Sequence, residues 1–138
     1  MKYLTRLGVV LFVAWSIISS AIAAPPAGFV SLFNGQDLAG WKGLVAVPIK
    51  RARMSADELA AAQQVADERM RAHWQVKDGA LEFDGHGDNL CTAQDYGDFE
   101  LYVDWKITPA ADSGIYLRGT PQVQVWDTEN EAAWKHGA

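Results

Sequence analysis

Cysteine is almost missing from this chain. Cys91 is the only one in 138 residues, so no internal disulfide can brace the fold, even in an oxidising compartment. Its neighbours offer no cluster of positive charge to activate a thiol, which points to a small apolar residue rather than a nucleophile. Long hydrophobic runs are also missing. The longest, residues 7–18, falls short of the ~20 residues that cross a bilayer. Lys2 and Arg6 precede it and Ala21-Ile22-Ala23 follows, the order of a cleaved export signal over residues 1–23. No cysteine stands beside the cut at Ala24, which argues against a lipid anchor. The expected location is periplasmic or extracellular, with no membrane contact after cleavage.

Basic residues are scarce. Of the 12 lysines and arginines, Lys2 and Arg6 belong to the leader; the remaining 10 face 17 acidic residues, a formal charge of −7. Such a surface disfavours nucleic acid and anionic lipid. Internal repeats and low-complexity tracts are absent. Residues 24–138 suffice for one domain, and five of the six tryptophans fall within them. Nothing in the pattern specifies an oligomeric state.

What is present is mostly short, strand-like and separated by turns. Residues 29–33 read as a strand, Asn34-Gly35-Gln36-Asp37 as a turn, and 38–41 as a short extended piece. Signals are weak over 43–50, where Pro48 opposes regular structure. Residues 55–72 predict one helix. Ser55 and Glu58 form a capping box, Asp57 and Glu58 suit its N-terminus, and Arg69 and Arg71 its C-terminus. Leu59, Ala62, Val65 or Ala66, and Met70 make a thin apolar stripe, so the helix is expected at the periphery. Then the period becomes two. Residues 74–77 and 80–83 predict a hairpin around Asp78-Gly79, the pair favoured in type I′ turns. A strand at 90–93 follows. The longest expected strand is 99–107, with Phe99, Leu101, Val103, Trp105 and Ile107 alternating with Glu100, Tyr102, Asp104 and Lys106. Trp41, Trp74 and Trp105 are core candidates by phase. The pattern predicts an all-β fold, an antiparallel β-sandwich with one peripheral helix.

The most informative stretch is the last. Residues 112–119 and 121–127 read as two strands joined by a Gly-Thr-Pro turn. Ile115 and Leu117 would share an apolar face, as would Val123 and Val125. The opposite faces carry Tyr116 with Arg118, and Gln122 with Gln124 and Trp126. Aromatic rings cover the C–H faces of a sugar while amides and guanidinium answer its hydroxyls. An oligosaccharide or glycoside is the expected partner.

Four motifs in order carry a resemblance. They are Phe33-Asn34-Gly35-Gln36-Asp37-Leu38-x-Gly40-Trp41, Trp74-x-Val76-x-Asp78-Gly79-x-Leu81, Tyr96-x-Asp98-Phe99-Glu100-Leu101 and Asp112-Ser113-Gly114-Ile115-Tyr116-Leu117-Arg118. Over about residues 29–127 the chain resembles the 3-keto-disaccharide hydrolase family. The resemblance implies a concanavalin A-like jelly roll and cleavage of glycosides oxidised at C3. A ketone there acidifies the C2–H, so the bond at C1 breaks by elimination and water then adds. That route needs a base at C2 and a polarising group near the C3 oxygen. Family domains normally continue through several more strands beyond the segment at 122–127, so the chain is expected to be the N-terminal part of such a domain. Many relatives carry glutamate where Gln122 stands; either that function is lost here or another residue serves.

Asp104 is the first candidate base, the family usually being acidic there; the plainer role is a solvated or salt-bridged carboxylate. Glu100 would share its strand face but lie roughly 13 Å away, too far for a carboxylate pair. No Glu-x-Asp-x-x-Glu run of a plain glucanase is present. Arg118 is expected either to donate to the C3 oxygen or to hold Asp104 across strands. Tyr102, Tyr116, Gln122, Gln124 and Trp126 are expected to contact sugar, with Lys106 a lesser candidate. Asp127 is expected to bind substrate, cap the strand end or coordinate a cation. No cofactor is specified: a divalent cation is compatible, but the Asp84-x-His86-x-Asp88-Asn89 loop lacks EF-hand spacing and reads as a solvated turn. Two alternatives to an enzyme stand: a non-catalytic carbohydrate-binding module on the same face, and a chain that does not fold alone.

Overall fold

In the structure, a computed structural model, residues 24–119 and 121–129 are described. The expected export signal at 1–23 and the polar tail beyond residue 129 lie outside them. In chain order the elements are β1 (Trp41–Gly43), α1 (Pro48–Arg51), α2 (Ala56–His73), β2 (Trp74–Lys77), β3 (Ala80–Phe83), β4 (Leu90–Thr92), β5 (Asp112–Tyr116) and β6 (Gln122–Trp126). The strands pair as β1–β4, β2–β3 and β5–β6, all antiparallel. Antiparallel β-structure is thus as expected, arranged among the described residues as three separate two-stranded sheets.

The helix forms where the capping box places it. Ser55 accepts from the Glu58 N–H, and the Glu58 carboxylate accepts from the Ser55 N–H at 2.8 Å. The Ser55 N–H, and then its hydroxyl at 2.9 Å, donate to the Glu58 carboxylate and hold its carboxyl below the usual carboxylate range. Of the expected stripe, Ala66 and Met70 are buried while Val65 is exposed. The buried side faces β1. Gly43 lies so close to α2 that a Cβ on it would stand 2.1 Å from the Ala66 carbonyl oxygen. Asp67 Oδ1 accepts the Gly43 N–H at 2.9 Å, and Gln63 Nε2 donates to the Gly43 carbonyl at 2.9 Å and to Asp67 at 2.7 Å. β1 is therefore held by β4 on one edge and by helix side chains on the other.

The helix runs straight into β2: the Trp74 N–H closes the last turn on Met70 and its own backbone is already extended. Asp78 and Gly79 both adopt positive φ, 51° and 77°, as a type I′ turn requires. Trp74 and Phe83 face each other in the ladder and stack, ring centroids 4.7 Å apart. Residues 84–89 lead back to β4 and fasten to α2. Arg69 pairs with Asp88 and His73 with Asp84, each at 2.9 Å, and Trp74 Nε1 donates to the Asp88 carbonyl at 3.1 Å.

Four expectations are corrected. Residues 99–107 form no strand, because a β-ladder needs a neighbour and none among the described residues pairs with them. Trp105, expected in the core, is 55% exposed for the same reason. Residues 29–33 are irregular. Pro48 does not oppose structure but opens α1, where its missing N–H costs nothing.

Gly43→Ala should expose how much depends on the close approach at α2. Backbone rather than a flexible side chain stands in the way, so we expect a loss of about 1–3 kcal/mol, read as a lower denaturation midpoint. Unchanged stability would mean that β1 and α2 are not packed as described.

Candidate functional site

The β5–β6 ladder pairs Asp112 with Trp126, Gly114 with Gln124 and Tyr116 with Gln122. Directly opposed residues share a face. One face therefore carries Asp112, Gly114, Tyr116, Gln122, Gln124 and Trp126. The other carries Ser113, Ile115, Val123 and Val125, of which Val125 is buried. The hairpin thus brings together Tyr116, Gln122, Gln124 and Trp126, four of the residues expected to contact sugar. It adds Asp112, whose side chain accepts from Gln124 Nε2. Counting by twos back from Tyr116 finds it on the same face. Gln122 lies across Gly114, where a Cβ would meet its amide nitrogen at 2.0 Å, and makes a long 3.5 Å contact to the Ser113 carbonyl.

The other expected residues sit elsewhere. Arg118 lies beyond the β5 ladder with φ 51°, in the turn before β6. Its guanidinium donates to Asp98 at 3.2 Å and, weakly, to the Gly97 carbonyl at 3.5 Å. Asp98, not Asp104, is its carboxylate partner. Arg118 borders an open cleft with Gly97, Asp98, Phe99, Leu117 and Pro121. Asp104 and Lys106 are exposed on the irregular stretch and take part in no hydrogen bond or ion pair among the described residues. Tyr102, on the same stretch, packs edge-on against Phe29 with centroids 4.7 Å apart.

Asp127 closes the hairpin base. Its Oδ2 accepts the Ala110 N–H at 2.7 Å and its Oδ1 the Glu129 N–H at 3.1 Å, while its own N–H donates to the Ala111 carbonyl. These donors favour the charged form and hold the carboxyl below the usual carboxylate range. A strand-end cap is the role this geometry describes.

Two further motifs resolve structurally. In the Asn34 turn, Oδ1 accepts the Gln36 and Asp37 N–H groups at 2.9 and 3.0 Å, and Asp37 accepts the Ala39 N–H at 2.9 Å. That motif shapes the entry to β1. In the 84–89 loop, Asp84 accepts from the His86 N–H at 2.8 Å and pairs with His73, which lowers its pKa. No group of three or more His, Cys, Asp or Glu poised for a metal stands among the described residues. Half-buried Cys91 has its thiol pKa raised by desolvation, unlike an activated nucleophile.

Two carboxamides and a carboxylate thus lie between a tyrosine and a tryptophan on one face of the hairpin. Residues 28–138 match the family described as the 3-keto-alpha-glucoside-1,2-lyase-like domain, and the chain belongs to that family. A 3-keto-disaccharide hydrolase from Bacteroides thetaiotaomicron is 24% identical over 98 residues, 64% of this chain and 27% of that protein. The chain thus spans about a quarter of the length of this curated relative. No solved structure matches it.

The Asp127 cap predicts an acid response. A carboxyl whose pKa falls on folding stabilises the fold above its unfolded value, and the contribution is lost as pH falls through the folded one. Protection of the Ala110 amide, its exchange rate taken against the intrinsic rate at the same pH, should therefore fall on acidification through the carboxylate range. Asp127→Asn should show faster exchange at neutral pH with a weaker acid dependence. Equal exchange in both proteins at every pH would exclude the cap.

Proposed function

We propose that the chain serves the cleavage of glycosides whose sugar is oxidised at C3, with the Asp112–Trp126 face of the hairpin against the sugar. The observation that carries this reading is the ladder register, which puts two carboxamides and two aromatic rings on one side of a single hairpin. Family membership supports the chemistry, since a 1,2-lyase removes the C2 proton and the C1 substituent. The related hydrolase is named for a 3-keto-disaccharide.

In this mechanism a base takes the C2 proton, made acidic by the neighbouring ketone, and charge passes to the C3 oxygen. The electron pair then forms the C1–C2 double bond as the glycosidic C1–O bond breaks, and the leaving oxygen takes a proton. Water adds across the double bond, its oxygen to C1 and a proton to C2, giving net hydrolysis. Asp104 is the proposed base and Arg118 the group that stabilises charge on the C3 oxygen. For this, Arg118 must exchange Asp98 for substrate and the 99–107 segment must bring Asp104 to the hairpin. A concanavalin A-like sandwich would do so by making 99–107 a strand beside it. We further place the chain outside the cytoplasm, on the leader-like residues 1–23.

A second reading, a carbohydrate-binding module, is favoured by one feature: the only carboxylate among the paired residues of the face, Asp112, already accepts from Gln124.

The test is turnover of a 3-keto-disaccharide beside its unoxidised parent. The oxidised sugar alone should be cleaved, and Asp104→Asn should lower turnover about 10²–10⁴-fold. A folded protein inert toward both sugars would sink the enzyme reading. Calorimetric affinity for the parent sugar, unchanged by Asp104→Asn, would move the assignment to the binding module.

A further inference from the structure

We infer that Asp112 and Gly114 are positioning residues: they fix the direction of the Gln124 and Gln122 carboxamides, so that the hairpin presents hydrogen-bond acceptors to an uncharged polyhydroxyl ligand. This rests on the proposed sugar contact and names two residues and a ligand class within it. A glutamine carboxamide is two-ended, and which end meets a ligand depends on what holds the other. Here the amino end of Gln124 is held by a hydrogen bond, and that of Gln122 faces the backbone across a long 3.5 Å contact. Gln124 Nε2 donates to Asp112 Oδ1 and Gln122 Nε2 turns to the Ser113 carbonyl. Neither carbonyl end, Gln124 Oε1 nor Gln122 Oε1, accepts a hydrogen bond among the described residues, so both are left for a ligand. They join the second oxygen of Asp112, so acceptors dominate the middle of the face.

Gly114 makes the arrangement sterically available. Its φ is not positive, so alanine meets no backbone penalty there, yet a Cβ would stand 2.0 Å from Gln122 Nε2 and 2.7 Å from its Cγ and Cδ. Glycine leaves the room in which Gln122 lies flat. A surface of acceptors answers hydroxyl hydrogens and repels carboxylates, so the face favours a neutral sugar over a uronate of the same size.

Two readouts separate this from the functional proposal. The first is the pair of Gln124 side-chain amide resonances in labelled protein. Asp112→Ala should shift them and merge their environments, and Asp112→Asn, which keeps an acceptor oxygen, should restore much of the separation. The second is calorimetric affinity for a neutral 3-keto-disaccharide against its uronate counterpart. We expect Asp112→Ala and Gly114→Ala each to weaken the neutral sugar about 5-fold or more, with Asp112→Asn within about 2-fold of wild type. Backbone amide spectra of β5 and β6 identify any variant that has lost the hairpin, and in that case Asp112→Asn carries the comparison.

Gln124 resonances indifferent to Asp112→Ala would overturn the positioning role whatever the sugar does. Resonances that respond while affinity does not, or a wild type preferring the uronate, would overturn the ligand role. Failure of the functional reading looks different: wild type binds neither sugar while the Gln124 signals still respond to Asp112→Ala. That outcome also removes the ligand role and leaves only a structural bond.

Discussion

Most of the helix-centred part of this chain depends on one close approach, the backbone of Gly43 against the backbone of α2 at Ala66. A strand edge must satisfy its N–H and C=O groups or leave them as a template for association. β1 meets that demand asymmetrically. Its inner edge pairs with β4, while at Gly43 its outer donor and acceptor go to Asp67 and Gln63, side chains one turn apart on α2. Any side chain at position 43 would push the strand out of reach of both. The geometry also explains how a helix rich in alanine, glutamine and charge holds its place. It buries little beyond Ala66 and Met70, and directed hydrogen bonds supplement that small apolar contact.

Once α2 is fixed, much follows without further nonlocal information. The helix becomes β2 with no intervening loop, so the hairpin it opens inherits the helix's position. The return segment at 84–89 is pinned by Arg69, His73 and Trp74, all at the end of that helix or just beyond it. It delivers the chain to β4, which closes on β1. The β5–β6 hairpin lies outside this circuit. It touches the rest through Arg118 to Asp98 and through its turn, where a Cβ on Gly119 would meet the Pro48 ring at 2.7 Å. The candidate face is thus carried by a locally determined element rather than by the helix-centred unit.

That difference sets what could be read from the sequence. The Ser55–Glu58 capping box, the Asp78-Gly79 turn and the period-two face of residues 112–126 were all legible, because each is decided by residues near one another in the chain. Residues 99–107 carry an equally clear alternation and form no strand, since alternation supplies faces but not a partner. Pro48 was misread because proline is compatible with a first helical turn, and only the neighbouring backbone tells that position from a loop. At the site, the side chains sharing a face were legible and their orientations were not. No pattern shows that Gln124 donates to Asp112, nor that Arg118 turns to Asp98. Both depend on lateral offsets of a few ångströms between strands or loops.

The chemistry proposed for this face is consistent with how few charges it carries. Ordinary glycoside cleavage requires two carboxyl groups at opposed positions, about 5–5.5 Å apart for retention and about 6.5–9.5 Å for inversion. The hairpin face has a single carboxylate among its paired residues, and Gln124 already occupies one of its oxygens. A substrate with a ketone at C3 lowers the requirement, because the C2–H is acidic before any enzyme group acts and the leaving bond is weakened by elimination rather than by forcing an oxocarbenium ion. Under that chemistry one base delivered from another segment suffices. The hairpin is then left the task its residues suit: holding an uncharged ring between Tyr116 and Trp126 with carboxamide oxygens turned toward its hydroxyls.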